Sequence, residues 1–450
     1  MADSTSSTTA YSKPFKLLVR SAEQVVQVVN NGAKVLRGNE MKSLAVLESR
    51  LPKDANRRDG LSVVVDRTGN IHDIGYDSDL DGKYTEQDFD HIVDATGQCV
   101  IPGLIDGHTH PVWAGDRVNE FSMKLAGATY MDIHKAGGGI YSTVTSTHLA
   151  TEEQLYSSLV QRLQTMLQNG STTIEAKSGY GLDLENELKI LRVLHRAQKE
   201  GPWNLSITYC GAHAVPKGSS AEVAVKDIVE HHLNAVMEET KAGRLTVDNV
   251  DVFCETGVFT VEQAKAILRK GQSFGLNANF HAEELSYLGG AEMGAAIGSK
   301  AISHLEYISP EGIAAIAQSG TVATLLPTTA FQMRLPAPPV RRMIEQGVAV
   351  AIGSDFNPNA HCLSMPVVMY LAAVTFHMSL EEVLAASTIN AAASLNLADS
   401  RGSLEIGKVA DMVLIDSPSW EHLIYQLGNA TKLISTVISK GFVVRARKKE

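Results

Sequence analysis

Between Phe15 and Ile101 the apolar positions fall in short alternating runs: FKLLVR, QVVQVV, LSVVVD and, after the turn Arg67-Thr68-Gly69-Asn70, IHDIG. Alternation with period two predicts half-buried strands of a small sheet. The intervening residues 38–60 and 76–91 are polar and charged and read as solvated loops. From Val100 the texture changes, and apolar strand-length runs alternate with amphipathic helical stretches. Predicted strands cover 100–107, 171–176, 205–210, 248–253, 276–281, 300–304, 321–326 and 348–354, with helices such as 151–168, 183–199, 260–273 and 379–387. Strand-helix units in that rhythm predict a parallel sheet, and about eight of them predict a closed barrel. After the polar turn GSLEIGK, the runs ADMVLID and ISTVISKGFVVR return to strand patterning.

The fold expected is therefore α/β: a TIM-like (β/α)8 barrel over 100–395 with a second, small β-sandwich-like domain built from both chain termini, 15–99 and 396–450. Residues 1–14 read as a disordered tail without the profile of a secretory signal, and no apolar run is long enough to predict a membrane span. The expected location is the cytosol. Forty basic against fifty acidic residues give a formal charge of −10, which disfavours nucleic acid and anionic membrane surfaces as partners. Cys99, Cys210, Cys254 and Cys362 are too scattered for a disulfide framework or a cysteine-rich zinc site.

Barrels of this kind carry their chemistry at the C-terminal ends of the strands. The first predicted strand ends in His108 and His110, alternate residues able to point the same way. The third ends at His213, the fourth carries Cys254 and Glu255, the fifth ends in His281 followed by Glu283 and Glu284, the sixth in His304, and the eighth in Asp355. Any one of these histidines alone would as readily be a hydrogen-bonded interior residue, and Asp355 a helix cap. Jointly, three imidazoles and a carboxylate at the ends of strands one, five and eight predict a catalytic metal site of His108, His110, His281 and Asp355. Glu284, three residues after His281, is the candidate proton shuttle, with Glu283 as competitor. His304 is placed to polarise a carbonyl or steady an oxyanion, or else to support a ligand from behind.

These segments resemble the amidohydrolase superfamily: IPGLIDGHTH on strand one, His281, His304, the GSD containing Asp355, and the closing GSLEIGKVADMVLID, a likeness that spans residues 15 to 445. Many members hold two metals through a carboxylated lysine on strand four. Here that strand reads NVDVFCETG and has no lysine, so the resemblance implies one metal per chain, zinc or iron; Lys177, after strand two, is the only other bridge candidate. The runs HPVWAGDRVNEF, KLAGATYMDIHKAGGGI, KSGYGLDLENELK, YCGAHAVPKG, NFHAEEL, ISHLEY, LLPTTAF and GSDFNPNA are similar to the imidazolonepropionase family within that superfamily.

That likeness implies hydrolytic ring opening of 4-imidazolone-5-propanoate, a small anionic substrate, to N-formimidoyl-L-glutamate in L-histidine degradation, by a homodimer. It implies substrate contacts at Arg117, Tyr180, His213 and Glu284, catalytic roles for Glu284, His304 and Asp355, and product contacts at Asn357, Asn359 and Ala360. At 359 and 360 the chain departs from the Gly and Ser or Thr of many relatives. Arg117 suits a propanoate arm because a guanidinium holds a carboxylate in a bidentate fork, although a salt bridge to Asp116 or Glu120 is the alternative. Gly137-Gly138-Gly139 lacks a following Lys-Ser/Thr and reads as a lid or pocket wall, not a phosphate cradle. A single-metal nucleobase deaminase and a non-catalytic scaffold on the same fold are the alternative functions.

Overall fold

A computed structural model describes residues 13–51, 59–127 and 138–447. The tail before Lys13 and Gly137 lie outside these residues. The strands are β1 (Phe15–Ala22), β2 (Gln24–Val28), β3 (Ala45–Glu48), β4 (Leu61–Val65), β5 (Ile71–Tyr76), β6 (Phe89–Asp94), β7 (Cys99–Pro102), β8 (Leu104–Asp106), β9 (Ser171–Lys177), β10 (Asn204–Ala212), β11 (Asn249–Cys254), β12 (Asn277–Ala282), β13 (Ala301–His304), β14 (Val322–Leu325), β15 (Val350–Ile352), β16 (Met412–Ile415), β17 (Ile434–Ser439) and β18 (Phe442–Ala446).

Strands β8 to β15 pair in sequence order, all parallel, with helices following each in turn. Several of these strands, β9 and β10 among them, are buried at every position, as expected where helices cover one face of a parallel sheet and the barrel interior fills the other. The helices begin where capping residues fall: Thr151, Asp183, Thr260, Ser309 and Ser379 each accept a backbone N–H from the first turn. Between β8 and β15 the barrel closes beyond the strand ends. Asp355 N–H donates to the His108 carbonyl at 2.9 Å and His110 N–H to the Phe356 carbonyl at 2.8 Å. Closure and the predicted metal ligands thus share the same residues. Gly353 makes this approach possible, since a Cβ there would stand 2.7 Å from the His108 nitrogen.

The run 100–107 is two strands, not one. At Gly103 the chain passes so close to β9 that a Cβ would meet Thr172 Oγ1 at 2.1 Å. On one side β7 joins the terminal sheet; on the other β8 opens the barrel. The terminal strands form a four-stranded sheet, β5-β4-β1-β6, and a six-stranded sheet, β18-β17-β16-β7-β2-β3. Leu17, Val19, Val63 and Val65 of the first share a buried cluster with Val25, Val100, Met412 and Leu414 of the second, which makes the pair a sandwich. Alternate residues of the six-stranded sheet, Cys99, Ile101, Val413 and Ile415, point the other way into the core that includes the barrel. β3 falls within, and β6 begins within, the stretches read as loops; both lie at sheet edges and are largely exposed. Among the described residues no helix is long and apolar enough to cross a membrane.

Candidate active site

The strand ends bring His108, His110, His281 and Asp355 together. His110 Nε2 and His281 Nε2 face each other at 3.1 Å, and Asp355 Oδ1 lies 3.5 Å from His108 Nε2 and 3.8 Å from His110 Nε2. Ligand atoms about 2.0–2.2 Å from a tetrahedral ion stand roughly 3.4 Å from one another, which these three separations approach, and potential ligand atoms of His108, His110 and Asp355 all lie within 4.8 Å of one another. Burial lowers the pKa of His108 and His110 well below the usual imidazole value, which leaves each ring neutral with a lone pair to give. The buried His108 Nε2 has no hydrogen-bond partner among the described residues, the state of a nitrogen reserved for a metal. His304 with His108 and His281, and His213 with His110 and His281, also offer nitrogen atoms within 4.8 Å of one another.

Three of the four candidate ligands, all but His110, have a side-chain partner on another element of the barrel. His281 Nδ1 pairs with Asp251 Oδ1 at 2.9 Å, His108 Nδ1 with Ser303 Oγ at 2.8 Å, and Asp355 Oδ2 accepts from Thr329 Oγ1 at 2.5 Å. Such contacts fix which ring nitrogen is free for the ion. Asp251 is in turn held by Lys177, whose Nζ sits 2.7 Å from Asp251 and 2.9 Å from Glu175, all three fully buried. Burial acts against both charges, yet the neighbouring His281 and Lys177 hold the Asp251 carboxyl far below its usual range, and the two carboxylates keep Lys177 protonated. An ammonium locked this way is not free to be carboxylated. Lys177 is the last residue of β9, and β11 presents Asp251 to His281 and Phe253 to the cavity, whereas Cys254 and the following Glu255 are not in the cavity wall. Burial raises the Cys254 thiol to about 12, and Glu255 accepts the Leu285 and Thr256 N–H groups.

Beyond the ligands lies a cavity of about 110 Å³ whose wall includes Glu284, His304, Arg117, Tyr180, His213, Asn357 and Asn359. Glu284 Oε2 is 3.6 Å from His304 Nε2. Burial, with Asp355 and Glu255 nearby, pushes the Glu284 carboxyl up to about 8. Glu283 turns away and accepts the N–H groups of Gly289 and Ala291, so the two adjacent glutamates have separate tasks. His213 stacks on His110, ring centres 4.5 Å apart at 8°, and its Nδ1 contacts the Gly179 carbonyl. Glu283, His304 and Asp355 all have positive φ without being glycine, backbone strain gathered at the strand ends.

Arg117 pairs with Glu120 and not with Asp116, and both partners are largely buried. Asn357 commits its amide to the loop itself: Oδ1 accepts the N–H groups of 359 and 360, and Nδ2 donates to the Asp355 carbonyl. Ala360 stands outside the cavity wall, its N–H given to Asn357 and its carbonyl taken by the N–H groups of Asn357 and Cys362. A second cavity of about 590 Å³ adjoins, with Arg117 and Asn359 common to both walls.

The sequence profile of the Amidohydrolase family matches residues 99–444. A protein of Nematostella vectensis named "Probable imidazolonepropionase" is 55% identical over 432 residues, covering 96% of this chain and 99% of its own. Its namesake in Homo sapiens is 52% identical over 428 residues, 95% of this chain and 98% of the relative. The chain belongs to the imidazolonepropionase family. Among solved structures, an adenosine deaminase of Xanthomonas campestris with bound zinc superposes with a TM-score of 0.69 at 17% identity, covering 96% of this chain and 94% of the other. An atrazine chlorohydrolase of Arthrobacter aurescens complexed with zinc gives 0.69 at 15%, covering 96% and 95%. These two share the fold; membership of the imidazolonepropionase family rests on the relatives above half identity.

Proposed function

We infer that this chain hydrolyses 4-imidazolone-5-propanoate to N-formimidoyl-L-glutamate, the ring-opening step of L-histidine degradation, with one zinc or iron ion held by His108, His110, His281 and Asp355. The observation that carries this reading is the convergence of those four side chains beside Glu284 and His304, in a chain of this family. An ion at such ligands supplies a water acidified toward neutral pH and a Lewis acid for the carbonyl. The protein supplies the rest. Glu284, facing the cavity, takes the proton of the attacking water and returns it to the ring nitrogen as the C–N bond breaks, so that the ring carbonyl becomes a carboxylate. His304, kept neutral by burial, has an N–H to give the carbonyl oxygen as negative charge grows there. Arg117 holds the propanoate, while Tyr180 and His213 wall the ring. Glu284 and Asp355, like-charged and buried together, cannot both ionise cheaply, which makes Glu284 a ready proton carrier.

The test is turnover of freshly generated 4-imidazolone-5-propanoate by the purified protein, followed by the loss of imidazolone absorbance. Chelation should abolish it and added zinc or iron should restore it. Metal-loaded protein that leaves the imidazolone intact but releases ammonia from a nucleobase would replace this reading with a deaminase.

A further inference from the structure

Glu120 approaches Arg117 along one edge only. Arg117 Nε donates to Glu120 Oε2 at 2.8 Å, and one terminal nitrogen lies 2.7 Å from the same oxygen. A guanidinium has two edges that fork a carboxylate: Nε with one terminal nitrogen, and the two terminal nitrogens together. The first is filled by Glu120. Among the described residues no acidic partner stands at the second, and Arg117 is part of the cavity wall.

Glu120 is itself fixed from behind. Its Oε1 accepts the Gly139 N–H at 2.9 Å, next to Ile140 in the cavity wall. One turn further along the same helix, Lys124 Nζ donates to Asn359 Oδ1, across the cavity mouth. Asp116, the other acid near Arg117, accepts the Val118 N–H at 2.6 Å. A long arginine held in advance loses less conformational freedom when its ligand arrives.

We propose that Glu120 is a positioning residue for substrate selection: it occupies the Nε edge of Arg117 and turns the terminal-nitrogen edge toward the cavity to receive a carboxylate on a short flexible arm. This rests on the reading that Arg117 receives the propanoate. It adds which edge does so and what holds that edge in place.

Steady-state kinetics of the metal-loaded Glu120→Gln enzyme test it, with 4-imidazolone-5-propanoate and an imidazolone bearing an uncharged alkyl arm. KM for the propanoate should rise roughly 10- to 100-fold, the scale of a misplaced binding group, with kcat changed far less. Discrimination against the uncharged arm should fall in proportion. Glu120→Asp, which keeps the charge one methylene short, should recover part of the loss and serves if the glutamine variant folds poorly. An unchanged KM overturns the proposal; so does a lowered one, which would make Glu120 a competitor for Arg117, and so does an equal loss on both compounds. Arg117→Met separates the two layers. If it leaves the propanoate KM unchanged, the anchor reading fails; if it raises KM while Glu120→Gln does not, only the role of Glu120 fails.

Discussion

Exchanging Glu284 for glutamine removes a proton acceptor and a buried charge at almost constant volume. Burial, then Asp355 and Glu255, raise this carboxyl from 4.5 to about 8 in the metal-free fold. The folded protein therefore retains a proton that the unfolded chain has released, and the sign of the linkage follows. Stability associated with this group is fully present below about pH 4.5 and is lost as pH rises toward 8, at about 1.4 kcal/mol per pH unit. At pH 7 the wild-type acid costs the metal-free fold at most about 3.5 kcal/mol, a burden that glutamine lacks. Metal-free Glu284→Gln should thus unfold at a higher temperature than metal-free wild type, with the gap widening from pH 5 to pH 8. Turnover should fall about 10²- to 10⁴-fold, the usual contribution of a positioned acid-base group. Metal content should be unchanged, because Glu284 is outside the ligand set. Differential scanning fluorimetry across pH, metal analysis and initial rates make up the assay. Undiminished turnover refutes the proton-carrier role; a gap that does not depend on pH refutes the burial argument.

Three further outcomes are expected. Asp251→Asn removes the charge that aims His281 and should weaken metal affinity about 10- to 100-fold in chelator competition; equal affinity would detach Asp251 from the site. Gly353→Ala places a methyl 2.7 Å from the His108 nitrogen and 2.9 Å from its Cβ, so it should destabilise the fold by roughly 1–3 kcal/mol and lower metal occupancy, and normal occupancy with normal stability would show that the strands can part there. Adding zinc or iron to metal-free protein should raise its unfolding temperature in step with free ion concentration, and a concentration-independent midpoint would argue against an ion held by the native fold.

What could be read in the chain depended on whether the signal was local. His108 and His110 stand two apart in one segment, and the strand ends follow from periodicity, so the barrel and its four converging side chains were legible. The partners that aim the ligands were not. Asp251 and Ser303 stand on two barrel strands and Thr329 on the helix after a third, and they meet the candidate ligands only through topology, although an acid inside the apolar run NVDVF was a signal that something buried must neutralise it. The edge strands β3 and β6 escaped because an edge faces water and carries the charges of a loop. The division at Gly103 escaped because hydrophobicity runs on unbroken from a sandwich strand into a barrel strand. Arg117 shows the limit most clearly, since the choice between Asp116 and Glu120 was settled only by where the helix after it turned.

The most direct measurement is anomalous diffraction from crystals loaded with zinc or iron, collected at the absorption edge of the metal. One peak per chain is expected, bonded to His108, His110, His281 and Asp355. A peak bonded to another set of side chains, two peaks in the barrel mouth, or none at full loading would contradict the single shared cation from which the chemistry was built.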